Sequence, residues 1–341
     1  MLILVPPAVF RGNPAPLRFD DRHLLKLQAL KPDYVFVGSS TLLSRIDTEQ
    51  LNRLRPGSTS YILGEVGSMS ALWYLWVKNS LLPSGVRPRV LFIHFRDTEL
   101  TDPVDETGSL WNQERIARNK GLEDADFGRI SHHHKRVTDR LREWLIRFYP
   151  IQERGRKPAF WMIDGVGFLL SSPAYRGYLW NRSFYPERIK PGETGAIVAQ
   201  RATFKARLAE EIFSNENQRV LKTKGGKGGE VNARHAFDAR LEHSFLPELI
   251  RLGRQGADRV IFVRMEPRPA VDDAPPVPHP SLDHYMAALR AHLERERVGF
   301  HDFSDEKSLK YDMYLDGGHV KPEFMPFYTE RFVERLAEAF R

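Results

Sequence analysis

Five short apolar runs constrain this chain more than any other feature: DYVFVGSS (33–40), SYILGEVG (60–67), RPRVLFIHF (87–95), DRVIFVRM (258–265) and the shorter VGFHDFSD (298–305). Their aliphatic and aromatic residues read as strands buried on both faces. Between and after them, apolar residues recur at helical spacing in SALWYLWVKNSLL (70–82), FDARLEHSFLPELIRLGRQGA (237–257), LDHYMAALRAHLERER (282–297) and PEFMPFYTERFVERLAEAF (322–340). Strands separated by helices predict a central parallel sheet covered on both faces, a three-layer α/β/α sandwich. Leu72, Trp73, Leu75 and Trp76 are then simply core.

The alternation lapses between the third and fourth strands. Residues 101–236 contain helical patterns at 134–149 and 195–214 and an aromatic, glycine-rich segment at 158–180. Because the sheet resumes afterwards, this stretch reads as a long helical insertion or lid-like subdomain. It divides one domain into 31–100 and 237–341, with 1–30 as an N-terminal arm. LKTKGGKGGEVNAR (221–234) invites comparison with a phosphate loop, but no strand precedes it and no Ser or Thr follows Lys227, so it is a linker. APPVPHP (274–280) follows the fourth strand at the edge where α/β sheets place ligands.

Composition removes several classes of function. The absence of cysteine rules out disulfides, thiolate metal sites and a cysteine nucleophile. A net charge of +7 comes from 51 basic against 44 acidic residues, a mixed surface without zinc-finger or RNA-binding signatures, which argues against nucleic acid. No apolar run approaches the roughly 18 residues that cross a bilayer. The opening MLILVPPAVF lacks the basic start of a secretory signal and reads as a strand or arm, or as the tail of an anchor. His132, His133 and His134 diverge in direction as consecutive residues, which argues against a metal site. Residues 135–157 carry eight Lys/Arg against three acids, with Trp144, Phe148 and Tyr149 among them. That stretch suits either peripheral contact with an anionic membrane or polymer, or a solvated helix face.

Two places carry chemistry. Ser40 stands where the first strand ends and a helix begins, so its backbone is held by the sheet at the ligand-binding edge. A serine there is placed as a nucleophile, but serine also caps helices well, and from this stretch alone the capping or turn reading is preferred. In YLDGGHVKPEF (314–324), Asp316 and His319 lie three residues apart in a glycine-rich turn before the last helix. A nucleophilic serine needs a base within hydrogen-bond reach, and that base needs a carboxylate to fix its tautomer.

In this order, the pieces resemble the SGNH/GDSL hydrolase superfamily, especially its bacterial cell-envelope branch of O-acyl esterases and acyltransferases. The resemblance covers roughly 30–100 and 237–341 and implies a flavodoxin-like SGNH fold. It also implies that Ser40, in Gly38-Ser39-Ser40, is the nucleophile, with His319 as base and Asp316 as its acid partner. Gly64 matches the family's oxyanion glycine. One block departs: where the family has an oxyanion asparagine, this chain has Arg96 in His94-Phe95-Arg96-Asp97. Arg96 either donates to an oxyanion or pairs with Asp97 or another acid. Ser39, His94 and Arg264 are candidate substrate contacts, with a structural histidine and a salt bridge as the competing roles for the last two.

The implied substrate is an acylated, chiefly acetylated, glycan or small ester, with no cofactor and no metal. The resemblance places such proteins outside the cytoplasm. The competing expectation is an inactive SGNH-like module that binds polysaccharide or an envelope assembly partner.

Overall fold

The computed structural model describes residues 19–101, 110–120, 124–133, 233–265, 268–269, 280–304 and 306–340. The segments expected at 1–18, 134–149, 158–180, 195–214, 221–232 and 274–279 lie outside the described residues.

All five predicted strands form, as β1 (Tyr34–Gly38), β2 (Ser60–Gly64), β3 (Val90–Phe95), β4 (Arg259–Arg264) and β5 (Gly299–Asp302). They make one wholly parallel sheet in the order β2-β1-β3-β4-β5. Val35 lies opposite Tyr61 and Leu91, and Phe92 opposite Ile261, so the register brings the carboxyl ends of β1, β2 and β3 together. Chain order reverses on either side of β1, which opens a crevice beyond those carboxyl ends.

Alternation along the strands builds a core on each face. Val35, Val37, Leu91, Ile93, Phe95 and Phe262 face one way, onto a cluster with Trp73, Trp76, Leu249 and Leu289. Tyr34, Phe36, Val90, Phe92, Ile261 and Val263 face the other, onto Leu51, Tyr328, Phe332 and Phe340. Helices therefore cover both faces of an α/β sheet.

Helix α1 (Arg22–Leu30) occupies the end of the expected N-terminal arm, and its fully buried Leu27 joins the first core. Those residues are thus part of the domain body. The short α2 (Ser40–Leu43) follows β1, and α3 (Thr48–Leu54) starts on Asp47, whose carboxylate accepts the amides of Glu49 and Gln50. Helix α4 (Ser70–Trp76) continues through a wider turn at Val77–Leu81 and a tighter one at Leu82–Ser84. Its tryptophans are core, with Trp73 0% and Trp76 1% exposed. At the start of the expected insertion, α5 (Leu110–Asn119) packs on α4, and α6 (Ala125–His133) follows.

The segment 237–257 is two helices, where periodicity predicts one. Helix α7 (Ala233–Leu241) ends in a turn and α8 (Leu246–Gly256) restarts with Pro247 in its first turn. Proline lacks the N–H that an interior position requires but suits a first turn, so it marks a new start. Helix α9 (Pro280–Arg295) precedes β5. The last helix, α10 (Met325–Arg335), starts later than its apolar pattern, because Pro322 opens a separate turn at Pro322–Phe324 and Pro326 sits in the first turn of the helix itself. Beyond it, Phe340 still seats against Tyr34, whose hydroxyl donates to the Phe340 carbonyl.

Gly38, the last residue of β1, has no room for a side chain. A β-carbon there would lie 2.9 Å from both Cβ and Cδ2 of Leu42 and 3.2 Å from the His94 carbonyl oxygen. Gly38→Ala is expected to cost about 1–3 kcal/mol by overpacking. Urea denaturation checks this, and a midpoint equal to wild type would contradict the packing.

Candidate active site

The tight turn between β1 and α2 sets Ser40 at the mouth of the crevice. The Ser40 hydroxyl lies 2.9 Å from His319 Nε2. On the other side of the ring, His319 Nδ1 lies 2.8 and 2.9 Å from the two oxygens of Asp316. A carboxylate only accepts, so Nδ1 carries the proton and Nε2 is left to accept from Ser40. Ser40 and His319, 279 residues apart in sequence, thus meet in one hydrogen-bonded relay.

The turn that carries the pair is built around Asp316. Its Oδ1 also accepts the amides of Gly318 and His319, each at 2.9 Å, which curls the turn so that acid and imidazole face each other. Burial alone would push the Asp316 carboxyl up, but the bonds from the His319 ring and the two amides outweigh it. The group is held far below the usual carboxylate range, which favours its ionised form. With the His319 side chain 32% and Asp316 25% exposed, the relay remains reachable from solvent.

Gly64 ends β2 directly beside Gly38. The loop after it is secured from three sides. Arg115, on α5, donates to the Val66 carbonyl at 2.6 Å and pairs with Glu65 at 3.1 Å, and Arg22 pairs with the other Glu65 oxygen at 3.1 Å. The Ser68 hydroxyl donates to the Gly38 carbonyl at 2.9 Å, tying the loop to β1.

The remaining candidates divide. Arg96 lies against the Asp316–His319 turn, since a β-carbon on Gly318 would fall 2.9 Å from Arg96 Nη1. It also faces Asp97 at 3.8 Å and Glu99 at 3.6 Å, so of the two roles expected of it the pairing with acids is present. Asp97 takes a left-handed conformation, φ 50°, as β3 turns away. Ser39 is buried, with its hydroxyl 2.8 Å from that of Thr41, so its side chain serves the turn and is not offered to a substrate.

His94 does not line the crevice. It is 0% exposed among Phe36, Phe92 and Phe332, because its position on β3 points it into the second core. Among the described residues neither ring nitrogen has a hydrogen-bond partner. Burial and then the charge of Arg45 push its pKa down to about 3. Arg264 takes the salt-bridge role, 3.2 Å from Asp302 and 3.9 Å from Asp97.

Sequence reading missed Arg45. It is 1% exposed and donates to the carbonyls of Thr41 and Gly318. Only its place in the apolar run Leu42-Leu43-Ser44-Arg45-Ile46 hinted at burial. Among the described residues no cluster of histidines and acids could hold a metal, and no helix is long and apolar enough to cross a membrane.

What the fold and site define is a parallel α/β protein with a serine–histidine–aspartate relay at the carboxyl edge of its sheet. Compared with known proteins, the chain matches no family model and no curated sequence.

Proposed function

We propose that this chain is a serine-dependent O-acyl esterase or acyltransferase of the SGNH/GDSL type, acting on an acylated, chiefly acetylated, cell-envelope or extracellular glycan. The observation that carries the reading is the 2.9 Å contact between Ser40 Oγ and a His319 ring whose other nitrogen is held by Asp316. The strand order β2-β1-β3-β4-β5 suits the flavodoxin-like layout of that superfamily.

In this mechanism Ser40 Oγ attacks the ester carbonyl carbon as its proton passes to His319 Nε2. Asp316 keeps the imidazole oriented and balances the imidazolium. The backbone amides of Ser40 and Gly64 receive the oxyanion, with Arg96 as a charged neighbour in place of the usual asparagine. Loss of one such donor typically costs roughly 10²–10³ in turnover, which slows the reaction without abolishing it. Collapse of the tetrahedral intermediate expels the glycan hydroxyl, which takes the proton from His319. Water or an acceptor sugar hydroxyl then attacks the acyl-serine, giving up its proton to His319, and releases Ser40.

A second reading, an inactive module that binds polysaccharide or an assembly partner, draws on the acids at Asp97 and Glu99 that face Arg96. A fluorophosphonate probe separates the two. The enzyme reading expects covalent labelling of wild type that is lost in Ser40→Ala. Unlabelled wild type, under conditions that label an active serine esterase, favours the binding module. Labelling that persists in Ser40→Ala rules out Ser40 as the nucleophile.

A further inference from the structure

We propose that Arg45 is a positioning residue that locks the Ser40 helix to the Asp316–His319 turn, an inference resting on the serine-hydrolase reading of those three residues. Arg45 Nη1 donates to the Thr41 carbonyl at 3.1 Å and to the Gly318 carbonyl. The first acceptor belongs to the residue after the nucleophile, and the second to the residue before the base. One nitrogen therefore ties the Ser40 helix to a turn 273 residues beyond Arg45 in sequence.

The acceptor on the histidine side is informative. The peptide joining Gly318 to His319 is gripped at both ends: its carbonyl by Arg45, and its N–H by Asp316 Oδ1 at 2.9 Å. A planar peptide held at both polar atoms has its orientation set, and with it the direction in which the His319 side chain leaves the backbone. The same Asp316 oxygen accepts from the ring Nδ1. Backbone and ring of His319 thus answer to one carboxylate, while Arg45 fixes that assembly relative to Ser40.

Arg45 is itself held rigidly. Its guanidinium lies over the rings of Tyr314 and Tyr328, at 5.7 and 5.4 Å, and its backbone carbonyl accepts from Thr329, which is fully buried on α10. Packing alone does not require a charge here, since buried ionic groups are often replaced by apolar ones without loss of stability. What an apolar side chain cannot do is hold two carbonyls at a set separation. The planar guanidinium loses less freedom per bond than a lysine ammonium, which suits it to this task.

The test uses the whole chain with p-nitrophenyl acetate as substrate, comparing wild type with Arg45→Met and Arg45→Lys. Thermal melts of each are followed, together with the low-field proton resonance of His319 Nδ1–H. A misplacement of about 1 Å costs on the order of 100-fold in rate. Arg45→Met is therefore expected to lose about 100-fold in kcat and Arg45→Lys about tenfold, with KM within about threefold of wild type. The low-field resonance should weaken or shift in folded Arg45→Met, which a residue that merely fills space would not cause. Folded variants with wild-type kcat and an unchanged resonance overturn the inference while leaving the esterase reading intact. If neither variant folds, Arg45 is a folding determinant and the positioning role is rejected. If wild type itself is inert, the esterase reading fails, and the resonance alone decides. Its loss on substitution upholds Arg45 as the lock on the turn, and its persistence rejects it.

Discussion

Alanine at Ser40, at His319, or at both together is expected to lower ester turnover by the same amount, roughly 10⁴–10⁶-fold. The two side chains act as a unit: without His319 Nε2 at 2.9 Å, the Ser40 hydroxyl has no acceptor for its proton, and without Ser40 the imidazole has nothing to activate. Removing the second partner of a broken unit costs little more, so the double variant should match the single ones. Initial rates on p-nitrophenyl acetate, over the rate of the uncatalysed reaction, measure this. Losses that multiply in the double variant would mean that the two residues contribute independently, and the relay would be wrong. Asp316→Asn extends the test, because an amide can present its NH₂ to Nδ1 and favour the wrong tautomer, for an expected loss of about 10⁴. Ser39→Ala serves as the contrast, since the Ser39 hydroxyl is turned to Thr41 and away from the relay.

The second large effect concerns stability in acid, and its source is His94. Burial and the charge of Arg45 push folded His94 down to about 3, whereas an unfolded histidine lies near 6.5. Below 6.5 the unfolded chain therefore binds a proton that the folded chain refuses. The stability that the neutral, buried ring allows is complete above pH 6.5 and is lost progressively as pH falls toward about 3. At pH 4.5 the loss from this one group is about 2–3 kcal/mol. His23, His292 and His301 are also pushed down by burial and act in the same direction, so the wild-type curve sums several groups. Asp316, held low, adds its own loss only below the ordinary carboxylate range. His94→Phe isolates the one contribution. A phenyl ring suits the cluster of Phe36, Phe92 and Phe332, and it removes two buried nitrogens that have no partner among the described residues. Urea denaturation at pH 7.5 and 4.5 should show the variant losing about 2–3 kcal/mol less than wild type between the two values. Equal losses in both proteins would show that His94 is not held neutral.

Much of the fold can be read along the chain, because strands buried on both faces need continuous apolar runs and helices need a period near 3.6. Val35 to Val37, Val90 to Ile93 and Val260 to Val263 are such runs, and all are strands. Boundaries were less legible. Pro247 splits an apolar period that looks continuous, and the last helix starts late, behind the turn that Pro322 opens. Ser40, Asp316 and His319 were legible because each sits in a local pattern, a strand-to-helix turn or a glycine-rich loop. His94, Arg264 and Ser39 were candidates for the same local reason, but strand ends present side chains to two faces, and sequence does not say which face holds the crevice.

From sequence alone came the five strands and their parallel pairing, which depend on local periodicity, while Ser40, Asp316 and His319 were singled out by their turns together with the family resemblance. The tertiary structure alone decided which polar groups near the site face solvent and which face inward. It buried His94 among phenylalanines, set Arg264 between Asp302 and Asp97, and brought Arg96 against the Gly318 turn. It also placed Arg45 between two carbonyls that are remote along the chain. Such contacts join segments hundreds of residues apart, and a hydrogen bond between them leaves no periodic trace in either segment.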